Sequence, residues 1–193
     1  MIRAKDRPVD ERGGMDWIGP EFMTWLWWRA SVAPEFQGPD GASLYVHVDE
    51  FLELKGERAA AKKTSLRSGM PAASAEGKVA LRNGKVVTAA RLLFARGEEE
   101  TSLTLRADDL DVSGGRPPPP DAPEAEERLA ASLAGIRRLY DDLDLCYATF
   151  LAVRCSDRWE AESAALRAWG GAPSEEESPR LESDLPARAS AKD

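Results

Sequence analysis

The sequence predicts an α+β fold: a small antiparallel sheet, a tryptophan-rich amino-terminal helix, a long carboxy-terminal helix and flexible tails. Three observations point there. Four of the six tryptophans (Trp17, Trp25, Trp27, Trp28) fall within twelve residues. Residues 43–106 break into short extended runs with turn signals between them. From Glu124 to about Trp169, apolar residues recur at helical spacing. The chain has 193 residues, of which 42% are apolar and 31% charged. That length can bury a substantial core without disulfide or metal staples.

Taken in order, residues 1–16 are charged, end in a Gly13-Gly14 pair and are expected to form a flexible leader. They lack the apolar segment of a secretory signal, and no apolar run reaches the roughly 18 residues of a membrane span. Ile18-Gly19-Pro20-Glu21 opens a helix, because proline fits the first turn and glutamate favours the positive end of the helix dipole. Phe22, Trp25, Leu26 and Arg29 share one face of that helix, and Met23 and Trp27 lie on another. A helix apolar on nearly every side must be buried or docked on a partner, so Phe22, Trp25, Leu26, Trp27 and Trp28 are expected in a core or at a partner surface. Base stacking on the tryptophans is the alternative, and it requires them to be exposed.

Ser43–Val48, Phe51–Leu54 and Ala61–Arg67 read as three strands. Pro71 to Glu76 opens a short helix that ends at Asn83-Gly84. Lys85–Arg96 reads as a strand, Gly97 to Glu100 as a hairpin turn, and Thr101–Arg106 as the returning strand with Leu103 and Leu105 on one face. The α+β domain therefore runs over 17–116. Residues 117–123, with four consecutive prolines, form a stiff linker. A helical region over 124–170 is expected to pack on the domain. In it Leu129, Leu133, Ile136, Tyr140, Leu143, Tyr147 and Phe150 alternate spacings of four and three, a stripe of three heptads. Residues 171–193, without an aromatic, read as a disordered tail.

Net charge is −8, which taken alone argues against nucleic acid. The charge is unevenly spread. Residues 1–54 carry 5 basic and 10 acidic side chains, residues 55–96 carry 10 and 2, and residues 97–193 carry 11 and 22. The middle block is a local positive field that can hold phosphates, or else a set of solvated faces. If the block acts as a site, Lys62, Lys63, Arg67, Lys78, Arg82 and Lys85 are the phosphate-binding candidates.

Catalytic chemistry has little to stand on. His47 is the one histidine, in an alternating strand run, with no nucleophile and orienting partner beside it in sequence. No Cys, His and carboxylate cluster has zinc-site spacing. Cys146 and Cys155 sit nine positions apart on one predicted helix, facing opposite sides about 13 Å apart along its axis, so they cannot bridge each other. They read as reduced, packed cysteines of a cytoplasmic protein. Gly84-Lys85 resembles the end of a phosphate loop, but Val86 and Val79 occupy its Ser/Thr and first glycine positions. Asp109, Asp111 and Ser113 begin like a calcium loop whose twelfth position is Pro120. The sequence is expected to be no enzyme and to need no cofactor, metal or small-molecule substrate.

The segment Gly19-Pro20-Glu21-Phe22-Met23-Thr24-Trp25-Leu26-Trp27-Trp28-Arg29 resembles the Gly-x-Glu-Phe-Leu-Thr-Trp-Leu-Trp segment of the RdgC-like, recombination-associated family. Later features keep a similar order: the basic strand Lys62 to Gly69, a short helix ending Leu81 to Val87, a hairpin returning through Ser102 to Leu105, and Phe150-Leu151-x-x-Arg154 before Trp159. The resemblance covers about Trp17 to Trp159. It implies sequence-independent binding of double-stranded DNA, dimeric assembly, restraint of recombination and a cytoplasmic, nucleoid-associated place. A second expectation is a protein-interaction or assembly module, a homodimer through the Leu129–Phe150 helix, with DNA binding lost.

Overall fold

In a computed structural model of the chain, residues 17–56, 63–67, 74–108, 111–115 and 124–171 are described. The predicted leader 1–16, linker 117–123 and tail 172–193 lie outside them, as do Lys62 and the expected helix opening at Pro71. A π-helical turn, Trp17–Glu21, runs into α1 (Phe22–Val32). Then follow β1 (Glu35–Gln37), β2 (Ser43–Lys55), β3 (Lys63–Arg67), α2 (Ala75–Arg82), β4 (Val86–Arg96), β5 (Glu99–Arg106), β6 (Val112–Ser113), α3 (Ala125–Arg154) and α4 (Arg158–Gly171). The α+β prediction holds. Among the described residues the sheet has order β1-β2-β4-β5-β6, with β3 on β2, and its pairings are antiparallel.

The two strands expected over 43–54 are one strand. A two-residue bulge at Glu50-Phe51 interrupts its pairing with β4, where Asp49 faces Arg91 and Leu52 already faces Ala90. Glu50 takes φ +44° to make it. Because two residues are inserted, the alternation survives: Leu44, Val46, Val48, Leu52 and Leu54 all point into the core. A second irregularity, at Thr88, frees the Val87 N–H, which donates to Thr24 Oγ1 of α1 at 3.0 Å. Thr24 Oγ1 in turn donates to Pro20 O at 2.7 Å, so one hydroxyl ties helix, π-turn and sheet together.

All the helices lie on the inner face of the sheet. α1 rests on β2 and β4, and α3 and α4 cover it from above. Phe22 and Trp25 each meet Phe150 at 5.4 Å between ring centroids, and Trp27 meets Trp169 edge-on at 4.8 Å. α1 is therefore sandwiched between the sheet and the carboxy-terminal helices, which is why it can be apolar all round. α2 packs on β3 and α4; Ser74 caps it by accepting from Gly77 N at 3.1 Å, and Gly84 closes it at φ +78°.

Three further expectations are corrected. The long helix breaks at Cys155–Asp157, where Ser156 Oγ accepts from Arg158 N (3.3 Å) and restarts the chain as α4. The turn lets Trp159 fold back onto Phe150, with ring centroids 5.9 Å apart. Cys155, expected to be packed, ends α3 exposed, whereas Cys146 is buried. β1 and β6, too short for any periodicity, add to both ends of the sheet. The heptad stripe is divided: Leu143, Tyr147 and Phe150 are buried, while Leu129, Leu133, Ile136 and Tyr140 are 61, 58, 39 and 46% exposed.

Candidate nucleic-acid interface

With every helix on one side, the other face of the sheet is open. Strand alternation sends Tyr45, His47, Asp49, Phe51, Glu53 and Lys55 of β2 toward it. The register aligns Lys63, Ser65 and Arg67 of β3 with them, and Arg91, Ser102, Thr104 and Arg106 across β4 and β5. At the bulge these chains border a groove of about 520 Å³ lined by Glu50, Phe51, Arg67, Arg91, Thr104 and Arg106.

The three guanidinium groups are held to different degrees. Arg91 is the most constrained: its Nη2 donates to Ser102 Oγ at 3.2 Å, and it lies 3.7 Å from Asp49 and 3.5 Å from Glu50. Arg67 stacks over the Phe51 ring, 5.6 Å from its centroid. The Arg106 guanidinium, on the same face through Thr104, has no hydrogen bond or ion pair among the described residues. A guanidinium with free donors is a fork for phosphate or carboxylate oxygens, and an aromatic ring beside it is a platform for a planar base.

The predicted phosphate contacts do not gather into one surface. Lys63 and Arg67 reach the open face. Lys63 is engaged there by Glu53, Nζ to Oε2 at 2.6 Å, and Lys55 approaches the other oxygen at 3.1 Å. Burial alone would raise the Glu53 carboxyl, but hydrogen bonds from Lys63, Lys55 and Thr88 outweigh it and hold the group below its ordinary value. Lys85 is a correction: it is 5% exposed, and its Nζ donates to Thr64 Oγ1 at 2.7 Å between β3 and β4. Lys78 and Arg82 belong to the helical layer. Lys78 sits over Trp169, 5.1 Å from the ring centroid, and Arg82 Nε donates to Gly170 O at 3.0 Å near the end of α4. Of the basic block, then, part fastens β3, α2 and α4 to the body and part faces the groove.

Arg91 and Arg106 are absent from the phosphate-binding residues expected from sequence, although a signal for them exists. Both share strand parity with Ser102 and Thr104, the polar face of the hairpin. The tryptophans of α1 offer no base platform: Phe22, Trp25, Leu26, Trp27 and Trp28 are all buried core residues. Trp25 Nε1 donates to Glu162 at 3.1 Å, and Trp27 Nε1 has no partner among the described residues.

A second hollow of about 530 Å³ lies beside α3, bordered by Asp40, Arg96, Arg138, Asp141, Asp142 and Asp144. Its cations are already committed, Arg96 to Asp142 and Arg138 to Glu99. The hydrogen bond to Asp142 raises the Arg96 guanidinium above its ordinary value against the cost of burial. Nearby, burial and then the Asp142 charge push the Cys146 thiol far up, which makes it a poor nucleophile. Among the described residues no group of three or more His, Cys, Asp or Glu side chains is placed to hold a metal ion. Nor is any described helix long and apolar enough to cross a membrane.

No protein-family model, curated protein or solved structure matches the chain. Glu21 accepts from Arg154 Nε at 2.9 Å, Arg154 stacks on Trp159 at 5.0 Å, and Phe22, Trp25 and Trp159 surround Phe150.

Proposed function

We propose that the protein is a non-enzymatic, sequence-independent DNA-binding protein whose contact surface is the open face of the sheet. One observation carries the reading: Arg67, Arg91 and Arg106 converge on a groove beside the Phe51 ring. Three guanidinium groups without base-reading partners suit a phosphate backbone, whose contacts fix position and carry no sequence information. The RdgC-like character of the Gly19–Arg29 segment is a second support, and it favours duplex DNA, a role in recombination control and a place at the nucleoid. The flanking Asp49 and Glu50 reduce the local field, so modest affinity and a shallow salt dependence are expected.

The test is binding of random duplex and single-stranded 30-mers between roughly 50 and 200 mM salt. Arg67→Glu with Arg106→Glu is expected to weaken binding at least tenfold. It should also reduce the salt slope by about 2, since each lost phosphate contact removes about 0.9 for duplex. Absence of binding at low salt, or binding indifferent to this pair, overturns the reading.

A second reading, assembly through the carboxy-terminal helix, is favoured by one observation: the amino half of its apolar stripe is uncovered by the body.

A further inference from the structure

At the bulge, Arg67 of β3, Arg91 of β4 and Arg106 of β5 close on one groove of about 520 Å³. A space of that size suits a single end group, whereas the phosphates of an unbroken backbone follow one another in a row. Arg67 is exposed and lies over the Phe51 ring, 5.6 Å from its centroid, so the two make a flat platform at the groove wall. Guanidinium planes and aromatic rings stack on free base faces. Within a duplex those faces are hidden in the stack, and only the last base pair offers one.

Glu50 bears on which anion the groove takes. It is the one non-glycine residue with a positive φ, +44°, among the described residues. Such backbone persists only where the surroundings impose it, and it gathers at binding sites. The bulge carries the Glu50 carboxylate out of the ladder to the groove, where it is 63% exposed and its Oε2 lies 3.5 Å from Arg91 Nη1. The other donors of Arg91 face inward, Nε 3.7 Å from Asp49 and Nη2 donating to Ser102 Oγ at 3.2 Å. Its outer donor is therefore already matched to a single, exchangeable negative charge. A backbone phosphodiester, itself singly charged, gives Arg91 no more than Glu50 does. A phosphomonoester brings about −1.5 to −2 at neutral pH and three acceptor oxygens, so it outcompetes the carboxylate.

We propose that the groove is a strand-end site: Arg91 and Arg106 hold a terminal phosphate of a DNA strand, and the terminal base lies on the stack of Arg67 and Phe51. This rests on the DNA-binding reading above and adds the part of the DNA that the groove takes. Thr104, opposite Arg91 across the strands and two residues before Arg106, adds a hydroxyl to the same wall. Glu50 occupies Arg91 when no end is bound and yields to the more highly charged group.

The experiment is equilibrium binding of the full chain, at about 50 mM salt, to short duplexes of one random sequence with 5′-phosphate, 3′-phosphate or hydroxyl ends, and to a covalently closed circle. Thermal unfolding of each variant is the fold control. Duplexes with a phosphate at one type of end should bind at least about tenfold tighter than hydroxyl-ended ones, and the arm that does so identifies the end. Arg106→Gln, at an exposed position, should cut that preference to about threefold or less, and Arg91→Gln should do the same. Glu50→Gln should strengthen binding of the closed circle at least about threefold, because Arg91 is then open to a backbone phosphate. No binding to any of the duplexes overturns the strand-end site together with the DNA-binding reading. Hydroxyl ends that bind as tightly as both kinds of phosphate end overturn the strand-end site and leave the DNA-binding reading standing. So does a phosphate preference that survives both arginine changes in folded protein, or a Glu50→Gln variant that binds the circle no better.

Discussion

Single residues here are fixed by what they cannot avoid touching. A Cβ added to Gly19 would lie 2.0 Å from Ala107 O, a backbone atom, so the π-turn and the end of β5 close on each other only with glycine. Gly19→Ala should therefore cost at least about 2 kcal/mol in denaturant unfolding, well above an ordinary surface change. Glu53 shows how a charged residue enters an apolar strand: its carboxylate is buried on the open face under Lys55 and Lys63. Glu53→Gln should cost about 2 kcal/mol at neutral pH, the weight of charge-assisted hydrogen bonds. The folded carboxyl sits below its reference value of 4.5, so its contribution is full above that pH and fades as pH falls through the depressed value. The stability gap between parent and Gln variant should hold from pH 7 to about 5, then narrow in acid; a gap that widens there contradicts the assignment.

At the scale of elements, local pattern decides helix or strand for the longer segments, the short β1 and β6 escape it, and the partners of each face come from the fold. α1 is apolar all round because it has neighbours on both sides, and its tryptophans are core for the same reason. The apolar row of α3 is uniform in sequence but halved in space. Phe150→Ala should cost about 3–5 kcal/mol, since it empties a site between Phe22, Trp25 and Trp159. Leu133→Ala, on the same stripe but exposed, should change the monomer's unfolding by less than about 0.5 kcal/mol. Equal losses at the two positions in dilute protein would contradict the division of the stripe.

Across the whole molecule, the basic block of residues 55–96 is distributed over two layers. Lys78 and Arg82 hold α2 to α4 in the helical layer, whereas Arg67 and Arg91 face the groove on the far side of the sheet, joined by Arg106 from the acidic carboxy-terminal half of the chain. Lys78→Glu with Arg82→Glu should lower the melting temperature by several degrees through the α2–α4 contact. Affinity for DNA should change less than threefold, in contrast to the Arg67 and Arg106 pair. If instead the helical-layer pair abolishes binding in a folded protein, the contact surface is on the wrong face.

By itself the sequence determined most of the strands and helices, that α1 must be covered or docked on a partner, and that α2 ends at Asn83-Gly84, because periodicity, caps and all-round apolarity are local properties. Tertiary structure alone decided which cations share a surface, since strand register brings Arg67, Arg91 and Arg106 together from positions 24 and 15 residues apart. It also merged two expected strands through the Glu50–Phe51 bulge, broke the long helix at Ser156, and left half of the α3 stripe bare. The reason is common to all four. A residue's type fixes what it can bond to, and only the folded chain fixes what is there.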